Sequence, residues 1–121
     1  MESTTTVVLR YRDGRTERAT LIETDVDQQI VRVKRDDGAN DDLPFSTLKA
    51  LFFPRTGSDD ALEPASGSTI AIEFADGEVI RGIAHYNPER NGFFLFPLDR
   101  SKNDRIFVVN SAIVSIEVER L

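Results

Sequence analysis

The sequence predicts an all-β protein, built as a tandem repeat of two small five-stranded barrels packed together. Three observations carry this. The chain repeats itself once, its apolar residues alternate with period two, and no stretch sustains the 3.6-residue period of an amphipathic helix. Thr6-Val7-Val8-Leu9-Arg10-Tyr11-Arg12-Asp13-Gly14 is matched by Thr69-Ile70-Ala71-Ile72-Glu73-Phe74-Ala75-Asp76-Gly77, an offset of 76 − 13 = 63. Both copies run threonine, three apolar residues, a charge, an aromatic, one further residue and Asp-Gly. At the same offset Arg18 meets Arg81, and Ile30–Val33 meets Phe93–Phe96. Later the offset becomes 111 − 46 = 65, where Ser46–Leu51 meets Ser111–Ile116. A length change in a loop produces such a shift, and an ordered series of matches points to duplication.

Each copy then reads as strands in order. Val7, Leu9 and Tyr11 alternate with Val8, Arg10 and Arg12. Asp13-Gly14 and Asp76-Gly77 favour tight turns, because glycine accepts positive φ and aspartate tolerates it. Second strands are expected over Arg15–Glu23 and Glu78–His85, and third strands over Gln29–Arg35 and Gly92–Leu98. Short fourth strands precede Ser46 and Asn110. One-turn connections follow at Ser46–Leu48 and Ser111–Ile113, with last strands near Lys49–Phe53 and Val114–Glu119. The domain reading is a first unit over residues 1–53, a linker over 54–68 rich in Pro, Gly, Ser and acids, and a second unit over 69–121. Units of this size bury little surface alone, so the two are expected to pack on each other.

Alternation assigns the cores. Val7, Leu9, Tyr11, Val31, Val33, Leu51 and Phe53 fill the first. Ile70, Ile72, Phe74, Phe94, Phe96, Ile116 and Val118 fill the second. Phe52, Phe93 and Leu95 are left pointing outward. These three form the candidate interface, either between the two units or with another protein.

The 121 residues carry a formal net charge of −6, which disfavours nucleic-acid backbones and anionic membrane surfaces. There is no cysteine, which removes disulfides and thiolate chemistry. The first residues lack a secretory pattern and no apolar run approaches the ~20 residues that span a bilayer, so a cytoplasmic protein with no membrane insertion is expected. The single histidine, His85, has no neighbouring ligand set or nucleophile. The run Asp36-Asp37-Gly38-Ala39-Asn40-Asp41-Asp42 lacks calcium-loop spacing and reads as a solvated hairpin. No catalytic residue, metal site or cofactor is expected, and the chain reads as a non-enzyme. Arg10, Arg12, Arg15 and Arg18 cluster about the first turn and are a candidate ligand-binding face for a nucleotide or RNA. Interspersed Asp13, Glu17 and Glu23 offer them cross-strand partners instead.

The pattern apolar-x-apolar-x-aromatic-x-Asp-Gly-x-x-x-Arg-Gly at Ile70–Gly82, degraded at Val7–Ala19, resembles the opening of Sm-like small barrels. Asn91-Gly92-Phe93-Phe94-Leu95-Phe96-Pro97 with Val108-Val109-Asn110-Ser111-Ala112-Ile113 resembles an uncharacterised bacterial domain family found beside PilZ-type domains and domains related to pilus and secretion ATPases. The resemblance implies a bacterial cytoplasmic module in signalling or pilus and secretion machinery, with a protein partner or self-association, and it implies no chemistry. The RNA-contacting Asn and Lys-Gly pair of Sm proteins is absent. So are the Arg-x-x-x-Arg and Asp/Asn-x-Ser-x-x-Gly segments with which PilZ proteins bind cyclic di-GMP.

Overall fold

A computed structural model of the chain describes residues 5–54, 67–87, 89–98 and 103–119. Most of the expected linker, including Leu62, lies outside the described residues. Ten strands form: β1 (Thr5–Tyr11), β2 (Thr16–Asp25), β3 (Ile30–Lys34), β4 (Asn40–Pro44), β5 (Leu48–Pro54), β6 (Ser68–Phe74), β7 (Val79–Ala84), β8 (Gly92–Pro97), β9 (Asn103–Val109) and β10 (Ile113–Glu119). One-turn 3₁₀ helices at Phe45–Thr47 and Asn110–Ala112 precede β5 and β10. The Asp-Gly turns form as expected, with Gly14 and Gly77 at φ 94° and 89°.

The strands make one antiparallel sheet in the order β10-β6-β7-β8-β9-β5-β1-β2-β3-β4. Each half repeats one order: β5-β1-β2-β3-β4 and β10-β6-β7-β8-β9. The register repeats as well. Leu9 faces Leu51 where Ile72 faces Ile116, and Val31 faces Leu43 where Phe93 faces Val108. Even a bulge recurs. One residue is left over between Ala50 and Leu48 opposite β1, and one between Ser115 and Ile113 opposite β6. Those extra residues are Lys49 and Val114.

The closed barrels expected of each half are not found. In neither half does the fifth strand return to pair with the fourth. The second edge of β5 is taken by β9 of the other half, and β4 and β10 are left as the two ends of an open sheet.

Central placement buries β5 on both faces, and every residue from Leu48 to Phe53 is buried. Directly opposed residues share a face, so two rows cross the junction. Leu9, Leu51, Phe107 and Phe94 stand on one side, and Val8, Phe52, Ile106 and Leu95 on the other. The first half's core thus receives Phe107, which packs on Phe45 with ring centroids 5.7 Å apart. The second half's core receives Phe52. The buried apolar residues form a single cluster.

The first core is as the alternation assigns it: Val7, Leu9, Tyr11, Val31, Val33, Leu51 and Phe53 are all buried. The second needs correction. Ile70, Ile72 and Phe74 are buried, but so are Phe93 and Leu95, while Phe94 is 41 % exposed. β8 therefore presents the face opposite to the one expected. The cause is a one-residue difference in the loop before it. The repeat offset is 63 across β6 and β7 but 93 − 31 = 62 across β8, and a slip of one exchanges the two faces of a strand. Phe96 and Ile116 are only partly buried. Val118, on the outer edge, is 51 % exposed, with no further strand beside it among the described residues.

Candidate functional site

The arginine face is largely occupied by the protein itself. Arg10 lies over the Phe52 ring at 4.3 Å and donates to both carboxylate oxygens of Glu78, each at 3.3 Å. Arg12 donates to the Leu48 and Phe45 carbonyls at 3.0 and 3.1 Å and to Ser111 Oγ in the other half. Arg15 pairs with Asp13 at 2.7 Å and sits over Tyr11. Asp13 is held below the usual carboxylate range, chiefly by the Arg15 backbone N–H. Arg18 is exposed on β2. Two of the four arginines therefore tie the halves together. The structure does not assemble the four into a phosphate cradle.

The residue that sequence reasoning missed is Lys49. It is 5 % exposed, at the bulge of β5. Its ammonium donates to Asp76 Oδ2 at 2.7 Å and to Glu78, both in the β6–β7 hairpin of the other half. It also lies 4.7 Å from the Phe74 ring centroid. That hydrogen bond, with a second from the Glu78 backbone N–H, holds the Asp76 carboxyl below its ordinary value. A lone charge inside the apolar run Leu48–Phe53 was the available signal. The bulge aims Lys49 across the junction by adding a residue that re-directs the side chain.

A cleft of about 140 Å³ opens beside this ion pair, lined by Arg12, Lys49, Phe74, Asp76 and Val114 among others. It is smaller than the ~300–1,000 Å³ typical of small-molecule sites. A larger open trough of about 520 Å³ runs between the first hairpin and β4. Its polar groups are already matched: Tyr11 Oη donates to Glu17 at 2.7 Å, and Arg35 donates to Glu17 at 2.7 Å and Asp41 at 2.8 Å. Burial first, then the Glu17 hydrogen bond, pushes the Tyr11 hydroxyl up to about 12.

Among the described residues no group of three or more His, Cys, Asp or Glu is placed to hold a metal ion. His85 is exposed just beyond β7. In the acidic hairpin, Asp41 and Asp42 pair with Arg35 and Arg32. Phe52, Phe93 and Leu95 are buried, so the outward apolar patch expected of them is not present. Phe52 belongs to the junction between halves, and Phe93 and Leu95 to the second core.

The unpaired surface lies elsewhere, at the two ends of the sheet. β4 ends it with Asn40, Asp41, Asp42 and Pro44, residues that discourage strand pairing. β10 ends it with Val114 and Val118, 63 % and 51 % exposed, beside partly buried Ile113 and Ile116. Among the described strands, β10 pairs only with β6. An open edge with an apolar character is suited to accepting another strand.

No helix among the described residues is long and apolar enough to cross a membrane. Compared with known families, residues 3–120 match a family of unknown function (DUF6982). No curated protein and no solved structure matches the chain.

Proposed function

For a chain that belongs to this family of unknown function, we propose from its geometry a non-enzymatic protein-interaction module that presents an open sheet border to a protein partner. The observation that carries the reading is the β10 edge, where Val114 and Val118 stand exposed and whose outer side pairs with no strand among those described. The polar clusters argue in the same direction. Arg10 and Lys49 bond to carboxylates of the other half, Arg12 bonds to Ser111 there and to two carbonyls of its own half, and the Tyr11–Glu17–Arg35–Asp41 group is matched internally. Each half is read as an Sm-like unit on the strength of its Asp-Gly hairpin and its fifth-first-second-third-fourth strand order. The bacterial setting in signalling or pilus and secretion machinery that the resemblance implies belongs to this proposal too.

The test pairs two titrations of the full chain. A protein recovered by affinity capture from a bacterial lysate is purified and titrated back, and saturable binding is expected. Cyclic dinucleotides and short RNA are titrated at low salt, where phosphate contacts are strongest, and no response is expected at Arg10, Arg12, Arg15 or Arg18. Nucleotide or RNA binding at those arginines, with no saturable protein binding, overturns the reading.

A further inference from the structure

The duplicated fold contains its own record of what a fifth-strand edge accepts. β5 receives β9, with Val108 opposite Ala50, Phe107 opposite Leu51, Ile106 opposite Phe52 and Arg105 opposite Phe53. β10 is the repeat equivalent of β5 and offers Ser115, Ile116, Glu117 and Val118 at those positions, an offset of 65. Its outer side has no strand among those described. Resting on the interaction-module reading, we propose that this edge takes an antiparallel strand from a different protein. The bound strand carries large apolar residues opposite Ile116 and Val118 and a lysine or arginine opposite Glu117.

Side-chain chemistry sets that specification. Ile116 is opposed by Ile72 and Val118 by Ile70, so both extend the second core's face outward. An apolar residue opposite either one covers surface that is now wet, at roughly 25 cal/mol per Å². Glu117 is exposed, faces Ala71 in β6 and forms no ion pair among the described residues. Its equivalent, Phe52, is opposed by an apolar residue. A carboxylate in that place calls for a cation opposite it, and the net charge of −6 also favours a basic partner.

A second copy of this chain fits poorly. Among the described strands, its free edge of the right kind is β4, the equivalent of β9. Repeating the internal register would set Asp41 against Glu117 and Asp42 against Ile116. The Lys49 bridge would be lost too, since its equivalent is Val114 and the equivalent of Asp76 is Asp13. Like charges directly opposed destabilise a strand pair.

The experiment titrates the isotopically labelled full chain with two pools of extended octapeptides, alternating apolar with lysine or apolar with glutamate, and follows backbone amide shifts. The lysine pool is expected to bind about fivefold or more tightly than the glutamate pool, with shifts centred on Ile113–Glu119. Glu117→Lys, a change on an exposed side chain whose fold is checked by circular dichroism, is expected to invert the preference. Binding that shifts amides elsewhere overturns the edge assignment while leaving the interaction-module reading intact. So does a lack of binding by either pool while the captured partner still binds. Amide shifts in β10 that grow with protein concentration alone would make a second copy the occupant and overturn the proposal.

Discussion

Lys49 shows how one side chain can decide an arrangement. A buried ammonium costs several kcal/mol unless it is paired, and here both carboxylates come from the opposite half. The pair therefore rewards one relative placement of the halves. Lys49→Ala removes the cation and its packing on Phe74. It is expected to lower unfolding free energy by about 1–3 kcal/mol, measured by urea denaturation. The acid limb provides a second reading. Asp76 titrates below its ordinary 3.8 in the folded chain. A depressed folded-state value gives stability that is present above the unfolded value and lost as pH falls through the lowered one. The wild-type midpoint should thus drop as pH falls below about 4. In Lys49→Ala that part of the drop should shrink, and a carboxyl titration followed by NMR should find Asp76 moved up. An unmoved Asp76 would mean that the backbone N–H of Glu78 alone sets its affinity.

The hairpin turns, the 3₁₀ connections and the first core could all be read at the scale of single strands, because β1 and β3 alternate clearly between apolar and polar. β8 could not. Gly92-Phe93-Phe94-Leu95-Phe96-Pro97 is apolar at every second position on either count, so alternation gives no phase. The one-residue difference in the preceding loop sets the phase, and close packing against β7 fits it. A Cβ on Gly82 would sit 2.5 Å from the Phe96 carbonyl oxygen and 2.8 Å from Leu95 Cγ, so Gly82 is where Leu95 enters the core. Its repeat equivalent is Ala19, which is buried and accommodates a methyl. Gly82→Ala is expected to destabilise by about 1–3 kcal/mol, the range for overpacking. Ala19→Gly, which only removes a methyl and adds chain freedom, should cost about 1 kcal/mol. Thermal melts of the two variants compare them directly. Equal costs would place β8 differently against β7. Of the three interface residues, Phe52 lies at the junction between the halves, one of the two places expected for it, while Phe93 and Leu95 follow the phase of β8. Phe52 interrupts no alternation in Leu51-Phe52-Phe53, and only long-range pairing with β9 shows that both faces of β5 are covered.

At the scale of the whole molecule, the sheet has two equivalent places for a junction, one inside the chain between β5 and β9 and one at the outer edges β10 and β4. The internal junction is apolar across Leu51–Phe107 and Phe52–Ile106. The same junction between copies would oppose Ile116 to Asp42 and Glu117 to Asp41. A duplicated chain whose outer edges kept the inner chemistry would add copies head to tail without end unless the rotation closed a ring. Charge on the outer edges opposes this at neutral pH, at a cost on the order of 1 kcal/mol per opposed pair, with Pro44 removing a backbone donor from β4. The natural chain is therefore expected to sediment as single copies across a broad concentration range. Restoring the inner chemistry to the outer edges with Asp41→Ile, Asp42→Phe and Glu117→Phe together should produce concentration-dependent association, read by analytical ultracentrifugation. Asp41 and Asp42 also pair with Arg35 and Arg32, so the double change without Glu117→Phe separates the loss of those pairs from the gain of an apolar edge. If the triple variant stays a single copy while folded, the equivalence of inner and outer junctions is not what sets assembly. If instead the natural chain associates through β4 and β10, the acidic edges do not exclude a second copy.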